Sequence, residues 1–181
     1  MNYIQRKKEP LEVCIITIYK SYDHDQANLY ENTPADVRQY ILQSIESFGI
    51  LNNDLCEKYL LLFYYDINTW TAVTNTRVLW SYNGATSDIR HCDIIDSSII
   101  PFDRIANDRL SMLYVITKNN EIHCLPIECG VKLECMHNVF LEIPSYFCHE
   151  KDEIEKCRHV LIERMNHERE LYRKQYLESR K

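Results

Sequence analysis

The chain has 181 residues, 45% of them hydrophobic, which suits one domain with a real core, or one domain with an appendage. Its formal net charge is -6, so it does not neutralise phosphates; nucleic acid is a poor partner and a protein partner fits better. Three glycines and five prolines leave little material for flexible linkers or phosphate-cradling loops, and neither G-x-G-x-x-G nor G-x-x-x-x-G-K-[ST] occurs.

No apolar run is long enough to span a membrane. Residues 1–10 are polar and charged and lack the apolar stretch of a secretory signal, so a cytoplasmic location is expected. The eight cysteines are therefore read as reduced thiols acting as small hydrophobes rather than as a disulfide framework.

In chain order, residues 11–19 are rich in β-branched side chains (Val13, Ile15, Ile16, Thr17, Ile18) and predict a strand. Residues 20–33 are polar and read as a loop. Thr33-Pro34-Ala35-Asp36 is a helix start, with Thr33 as the cap, Pro34 in the first turn and Asp36 facing the positive end of the dipole. The helix places Val37, Tyr40, Ile41, Ile45 and Phe48 on one face, and Gly49 closes it. Strands follow at Tyr59–Asp66, Thr69–Thr74 and Arg77–Tyr82, the last two joined by a polar corner at Thr74-Asn75-Thr76. Asn83-Gly84 turns the chain, and further strands are expected over residues 87–92 and 97–100. Leu110–Thr117 and residues 121–127 form a hairpin about Lys118-Asn119-Asn120. After Gly130 the period becomes helical, with Leu133, Met136, His137, Phe140 and Leu141 on one face and Pro144 as the stop. The block from 150 to 181 is densely charged, with an apolar stripe at Ile154, Cys157, Leu161 and Met165. It reads as a terminal helix whose first half docks and whose second half projects, appended to a globular unit of residues 1–149.

The expected fold is therefore α+β: a curved antiparallel sheet or partly open barrel, with an N-terminal helix and C-terminal helices. Residues 70–80, a strand, a Thr-x-x-Arg segment at Thr74 and Arg77, and a second strand, carry a resemblance to a known superfold. Residues 95–105, with Ile99-Ile100-Pro101, the hairpin strands 113–117 and 122–127, and the closing helix 128–141 extend it. Over roughly residues 58–143 the chain resembles the pleckstrin-homology-like superfold in its bacterial and GRAM-like versions. The resemblance implies a binding module for lipid head groups or proteins rather than an enzyme. Lipid-binding members hold phosphates with cations in the first hairpin loop; here that loop is Asp66-Ile67-Asn68, acidic and without a cation, so phosphoinositide binding is not expected. By size and charge the chain also resembles immunity proteins of bacterial polymorphic toxin systems.

Candidate chemistry is sparse. His91-Cys92, His123-Cys124 and Cys148-His149 are adjacent pairs, but no two C-x2-4-C pairs accompany them. Neighbours in a strand point to opposite faces, so a core cysteine beside a surface histidine is the expected arrangement. Zinc would need Cys129, Cys135, Cys148 and His149 to meet in space. A thiol-dependent hydrolase is the alternative function, since any cysteine with a nearby histidine base could act as nucleophile; a membrane-surface lipid module is the other. Asp93 with Asp96 and Asp103 with Asp108 read as solvated carboxylates. Thirteen tyrosines, Tyr19, Tyr22, Tyr30, Tyr64, Tyr65 and Tyr82 among them, suit either half-buried faces or a recognition surface. Arg77 is either a ligand contact or a tether for the corner before it. The candidate partner-binding residues are Arg77, Trp80, Tyr64 and Tyr82; no catalytic residue, metal ligand or cofactor is assigned. The leading expectation is a non-enzymatic cytosolic protein that binds another protein.

Overall fold

A computed structural model describes residues 9–22, 27–48, 57–99, 110–147 and 149–178. It is α+β, with helices α1 (Leu11–Ser21), α2 (Ala35–Ser47), α3 (Val131–Glu142) and α4 (Lys151–Glu178). The strands are β1 (Tyr59–Asp66), β2 (Thr69–Thr74), β3 (Arg77–Tyr82), β4 (Ala85–Arg90), β5 (Ile94–Ile99), β6 (Leu110–Thr117) and β7 (Ile122–Glu128). They form two antiparallel sheets, ordered β1-β2-β3-β4 and β5-β6-β7, which are not closed into a barrel.

Side-chain alternation explains the layering. In the first sheet one cross-strand row is Leu61, Val73, Val78 and Ile89, and the next is Leu62, Ala72, Leu79 and Asp88. Paired residues share a face and adjacent rows oppose each other. The Leu61 row joins Phe63 and Trp80 in the main core, against Ile94, Leu113, Val115, Leu125 and Ile127 of the second sheet and Met136, Val139 and Phe140 of α3. The Leu62 row, with Trp70, packs under Ile41 and Ile45 of α2. Every residue of β2 is buried because both of its faces are covered. The outer face of the second sheet carries Ile95, Tyr114 and Ile116, covered by Cys157, Leu161 and Met165 of α4. Thr71 Oγ1 donates to the Pro126 carbonyl across the sheets at 2.7 Å.

Residues 11–19 are helix, not strand. Leu11, Ile15 and Tyr19 stand four apart, and Ile15 and Tyr19 are buried in the main core. The packing of that face against α3 and β1 outweighs the modest helix penalty of β-branched side chains. Asn28 then clips α1 to the sheet: its amide and side chain both bond the Tyr19 hydroxyl at 3.3 Å, and its Nδ2 donates to the Leu62 carbonyl at 3.0 Å.

Other expectations shift by a few residues. The stretch read as loop over residues 20–33 contains a 3-10 turn at Tyr30–Asn32 and a bridge between Leu29 and Leu61. Pro34, not Thr33, occupies the α2 N-cap, and the Thr33 hydroxyl bonds back to the Leu29 carbonyl at 3.4 Å. The strand expected over residues 87–92 runs from Ala85 to Arg90 and gives way to a 3-10 turn at His91–Asp93. The next begins earlier than expected, at Ile94. Helix α3 ends before Pro144, which sits in a 3-10 turn at Ile143–Tyr146. Gly49, Ile100, Pro101, Asp103, Asp108 and Cys148 lie outside the described residues. Among the described residues no helix is long and apolar enough to cross a membrane.

Candidate functional site

The corner between β2 and β3 is built around one carboxylate. Glu57, whose side chain is only 1% exposed, faces Arg77 in a two-pronged pair: Nε to Oε1 at 2.8 Å and Nη2 to Oε2 at 2.7 Å. Thr74 and Thr76 hydroxyls donate to the same Oε1 at 2.8 and 3.0 Å. Thr74 Oγ1 also accepts the N–H groups of Thr76 and Arg77, at 3.1 and 3.0 Å, which folds the corner. Burial pushes the Glu57 carboxyl up, but the bonds from Arg77, Thr74 and Thr76 together outweigh it and hold the group below its ordinary value. Asp88 approaches Arg77 Nη1 from β4 at 3.5 Å. The guanidinium is a tether for the corner. Glu57, twenty residues earlier in the chain, was not singled out in the sequence because nothing local marks it as the partner of a Thr-x-x-Arg segment.

His91 seals the same end. It is 1% exposed; its Nε2 donates to the Thr74 carbonyl at 2.8 Å and its backbone N–H to the Thr76 carbonyl at 3.0 Å. The carbonyl fixes the proton on Nε2, leaving Nδ1 buried without a hydrogen-bond partner. Burial drives the ring down to about 4, against the Thr74 bond and the Glu57 charge. This reverses the expected arrangement at this pair: His91 is core and Cys92 is exposed, because the two sit in a 3-10 turn and not in a strand.

The other candidate residues do not converge. Trp80 is 6% exposed and belongs to the main core, its ring edge-on to His123 at 5.6 Å. Tyr64 and Tyr82 are exposed, at 40% and 39%. The register puts Tyr64 in the Trp70 and Ser81 row, on the α2 side, whereas Tyr82 shares the Trp80 side. Arg77 is on the α2 side but at the far end of the strands from Tyr64.

The end of the first sheet opposite the corner holds a cleft of about 310 Å³. Its walls are Tyr40, Gln43, Ser44, Ser47 and Phe48 of α2 and the residue after it, together with Ile67 and Asn68 of the β1–β2 turn and Ser81 and Gly84 beside the β3–β4 turn. The two turns are joined, since the Asn68 carbonyl accepts the Gly84 N–H and the Ser81 hydroxyl, each at 3.0 Å. Asn83 and Gly84 both have positive φ, 51° and 81°, the geometry a two-residue hairpin needs. Three apolar side chains stay exposed on the cleft walls: Phe48 at 52%, Ile67 at 50% and Tyr40 at 36%. Tyr64 stands next to them. Partial burial raises its hydroxyl above the ordinary value, and the nearby charge of Asp66, the Tyr40 hydroxyl and the charge of Asp36 add to that. One strand to either side of Ser81, Trp70 Nε1 and Thr86 Oγ1 are buried without hydrogen-bond partners. Spacing places Phe48 and Tyr40 on the packed face of the helix; they fall at its margin and stay exposed.

A second hollow, about 170 Å³, lies between β5 and α4. Asp96 occupies it, taking the Ser97 N–H on Oδ1 at 2.8 Å and Arg158 Nε on Oδ2 at 2.6 Å, while His137 Nε2 donates to the Ser97 carbonyl at 3.3 Å. The backbone edge of β5 at Ser97 is thus already bonded.

Among the described residues no three His, Cys, Asp or Glu side chains cluster as a metal site would require. Cys135 and Cys157 are buried; Cys14, Cys124 and Cys129 are half-buried. Burial pushes the Cys135 thiol up to about 11 and raises Cys124 and Cys157 too, the opposite of what a thiolate nucleophile needs.

No protein-family model matches this chain, and no curated protein matches it in sequence.

Proposed function

We propose that this chain is a non-enzymatic cytosolic binding protein on a pleckstrin-homology-like scaffold, and that it recognises a protein partner at the cleft between α2 and the β1–β2 and β3–β4 turns. The observation that carries the reading is the trio Tyr40, Phe48 and Ile67, left exposed around a concavity of about 310 Å³. Exposed apolar groups gathered about a concavity are what a partner's anchor side chain buries. The scaffold assignment draws support from four antiparallel strands, three more, and a following helix in that order. Tyr64 stays in the proposed surface; Arg77 and Trp80 are committed to internal contacts. The narrower reading, an immunity protein of a bacterial toxin system, is supported by size and acidity and calls for a toxin gene next door.

A photo-crosslinking residue placed at Phe48, with Leu177 on the distal half of α4 as the control, tests this in the native cell. A protein adduct at position 48 that is missing at position 177 supports the reading. Adducts at both positions alike, or at neither, overturn it.

A further inference from the structure

We infer that the segment this cleft receives is basic: one large apolar side chain seated among Tyr40, Phe48 and Ile67, with lysine or arginine beside it. The inference rests on the reading of the cleft as the binding site and adds the chemistry of the occupant.

Size comes first. A cleft of about 310 Å³ is at the bottom of the range for small-molecule sites, so it suits a single anchor group better than a cofactor. The lining then dictates what surrounds that group. Gln43, Ser44, Ser47 and Asn68 are uncharged and can bond a peptide backbone. Among the described residues no lysine or arginine lines the cleft. The charges at its rim are carboxylates: Asp66 Oδ1 accepts the N–H of the cleft residue Asn68 at 2.7 Å, and Asp36 lies in the first turn of α2, one turn before Tyr40. The cation on α2, Arg38, lies over the Tyr30 ring at 5.5 Å, and Arg77 is held by Glu57 and Asp88 at the far end of the sheet. An uncharged cleft with an acidic margin attracts a positive segment and repels an acidic one. The same margin repels an anionic lipid surface, which separates this occupant from a membrane.

The test is a display selection of random twelve-residue peptides on the full chain, followed by affinity measurements on Phe48→Ser, Ile67→Ser and the pair Asp36→Lys with Asp66→Lys. Phe48 and Ile67 are half exposed, so these variants keep the fold. The expected peptides carry one large apolar residue and a net positive charge. Each apolar-to-serine change weakens them by about tenfold, as loss of an anchor contact does. The double lysine variant weakens them similarly, and added salt does the same. Cleft-dependent peptides that are neutral or acidic, and indifferent to the lysine variant, overturn the basic occupant while leaving the cleft as the binding site. Peptides indifferent to Phe48→Ser and Ile67→Ser, or no enrichment together with flotation on phosphatidylserine vesicles, overturn the cleft itself.

Discussion

Replacing Arg77 with methionine removes the cation from a carboxylate that has almost no access to water. Glu57 is 1% exposed and receives four hydrogen bonds, two from Arg77 and two from threonine hydroxyls. Breaking a buried pair on one side costs about 3–5 kcal/mol because the remaining charge is uncompensated. The surviving bonds from Thr74 and Thr76 place this case at the lower end, about 3 kcal/mol. With a urea dependence of about 2 kcal/mol per molar, the denaturation midpoint falls by about 1.5 M. The companion change Glu57→Leu in the same chain recovers much of the loss, since the pair as a whole stands near break-even against apolar replacement. The pH profile supplies an independent sign. In the native protein the Glu57 carboxyl is held low, so its contribution is complete above its unfolded value of 4.5 and is lost as pH falls through the lowered folded value. In Arg77→Met the burial is opposed only by the threonines, the folded value rises, and the difference in stability between the two proteins narrows as pH falls through the unfolded value. A midpoint shift below about 0.5 M, or a gap that widens on acidification, refutes the argument that Arg77 neutralises a buried charge.

Three further outcomes are expected. His91 titrates at about 4 when folded against 6.5 when free, so its contribution is complete above 6.5 and is lost as pH falls towards 4, about 3 kcal/mol in all; His91→Gln flattens that part of a urea-midpoint profile, and the His91 ring resonance stays unshifted down to about pH 5. Leu161→Ala, at a position 3% exposed between α4 and the second sheet, costs about 2–5 kcal/mol by denaturation, with faster amide exchange in α4 than in β6. Thr86→Val removes a buried hydroxyl that has no partner, so stability measured by thermal melting is unchanged or higher, where a hidden hydrogen bond would make it fall.

Much of the fold was readable where short-range chemistry punctuates it. The limits of β1, β2, β3 and β6 agree residue for residue with the sequence reading; Asn75, Asn83, Gly84 and Asn120 mark turns that bound β2, β3 and β6. The apolar stripe of α4 was readable for the same kind of reason: Cys157, Leu161 and Met165 recur at one helical period and all three are buried. Helix α1 was not, since Val13, Ile15, Ile16, Thr17 and Ile18 favour a strand locally and only the docking of Leu11, Ile15 and Tyr19 makes them a helix. The cleft could not be read at all. It joins residues 40 to 48 with 67, 68, 81 and 84, and which apolar residues of α2 reach the sheet depends on where the helix lies across it. Trp80 shows the converse: an aromatic that looked available for recognition is core, because its row faces the second sheet.

On the proposed reading, the layering bears on where a partner would bind. Helix α2 covers one face of the first sheet, the second sheet covers the other, and α4 covers the outer face of the second. The two ends of the first sheet have been treated oppositely. At the β2–β3 corner, Glu57, Thr74, Thr76, Arg77 and His91 bond one another, and Asn75 exchanges bonds with the Lys58 backbone at 2.8 and 3.0 Å, so the polar groups there are spent inward. At the other end the Asn68 carbonyl joins the two hairpin turns, Asp66 Oδ1 accepts the Asn68 N–H at 2.7 Å, and the large side chains around them stay exposed. An end bonded inward supplies register and an end with exposed aromatics supplies contact area, which is the division the proposed binding surface on the turns calls for.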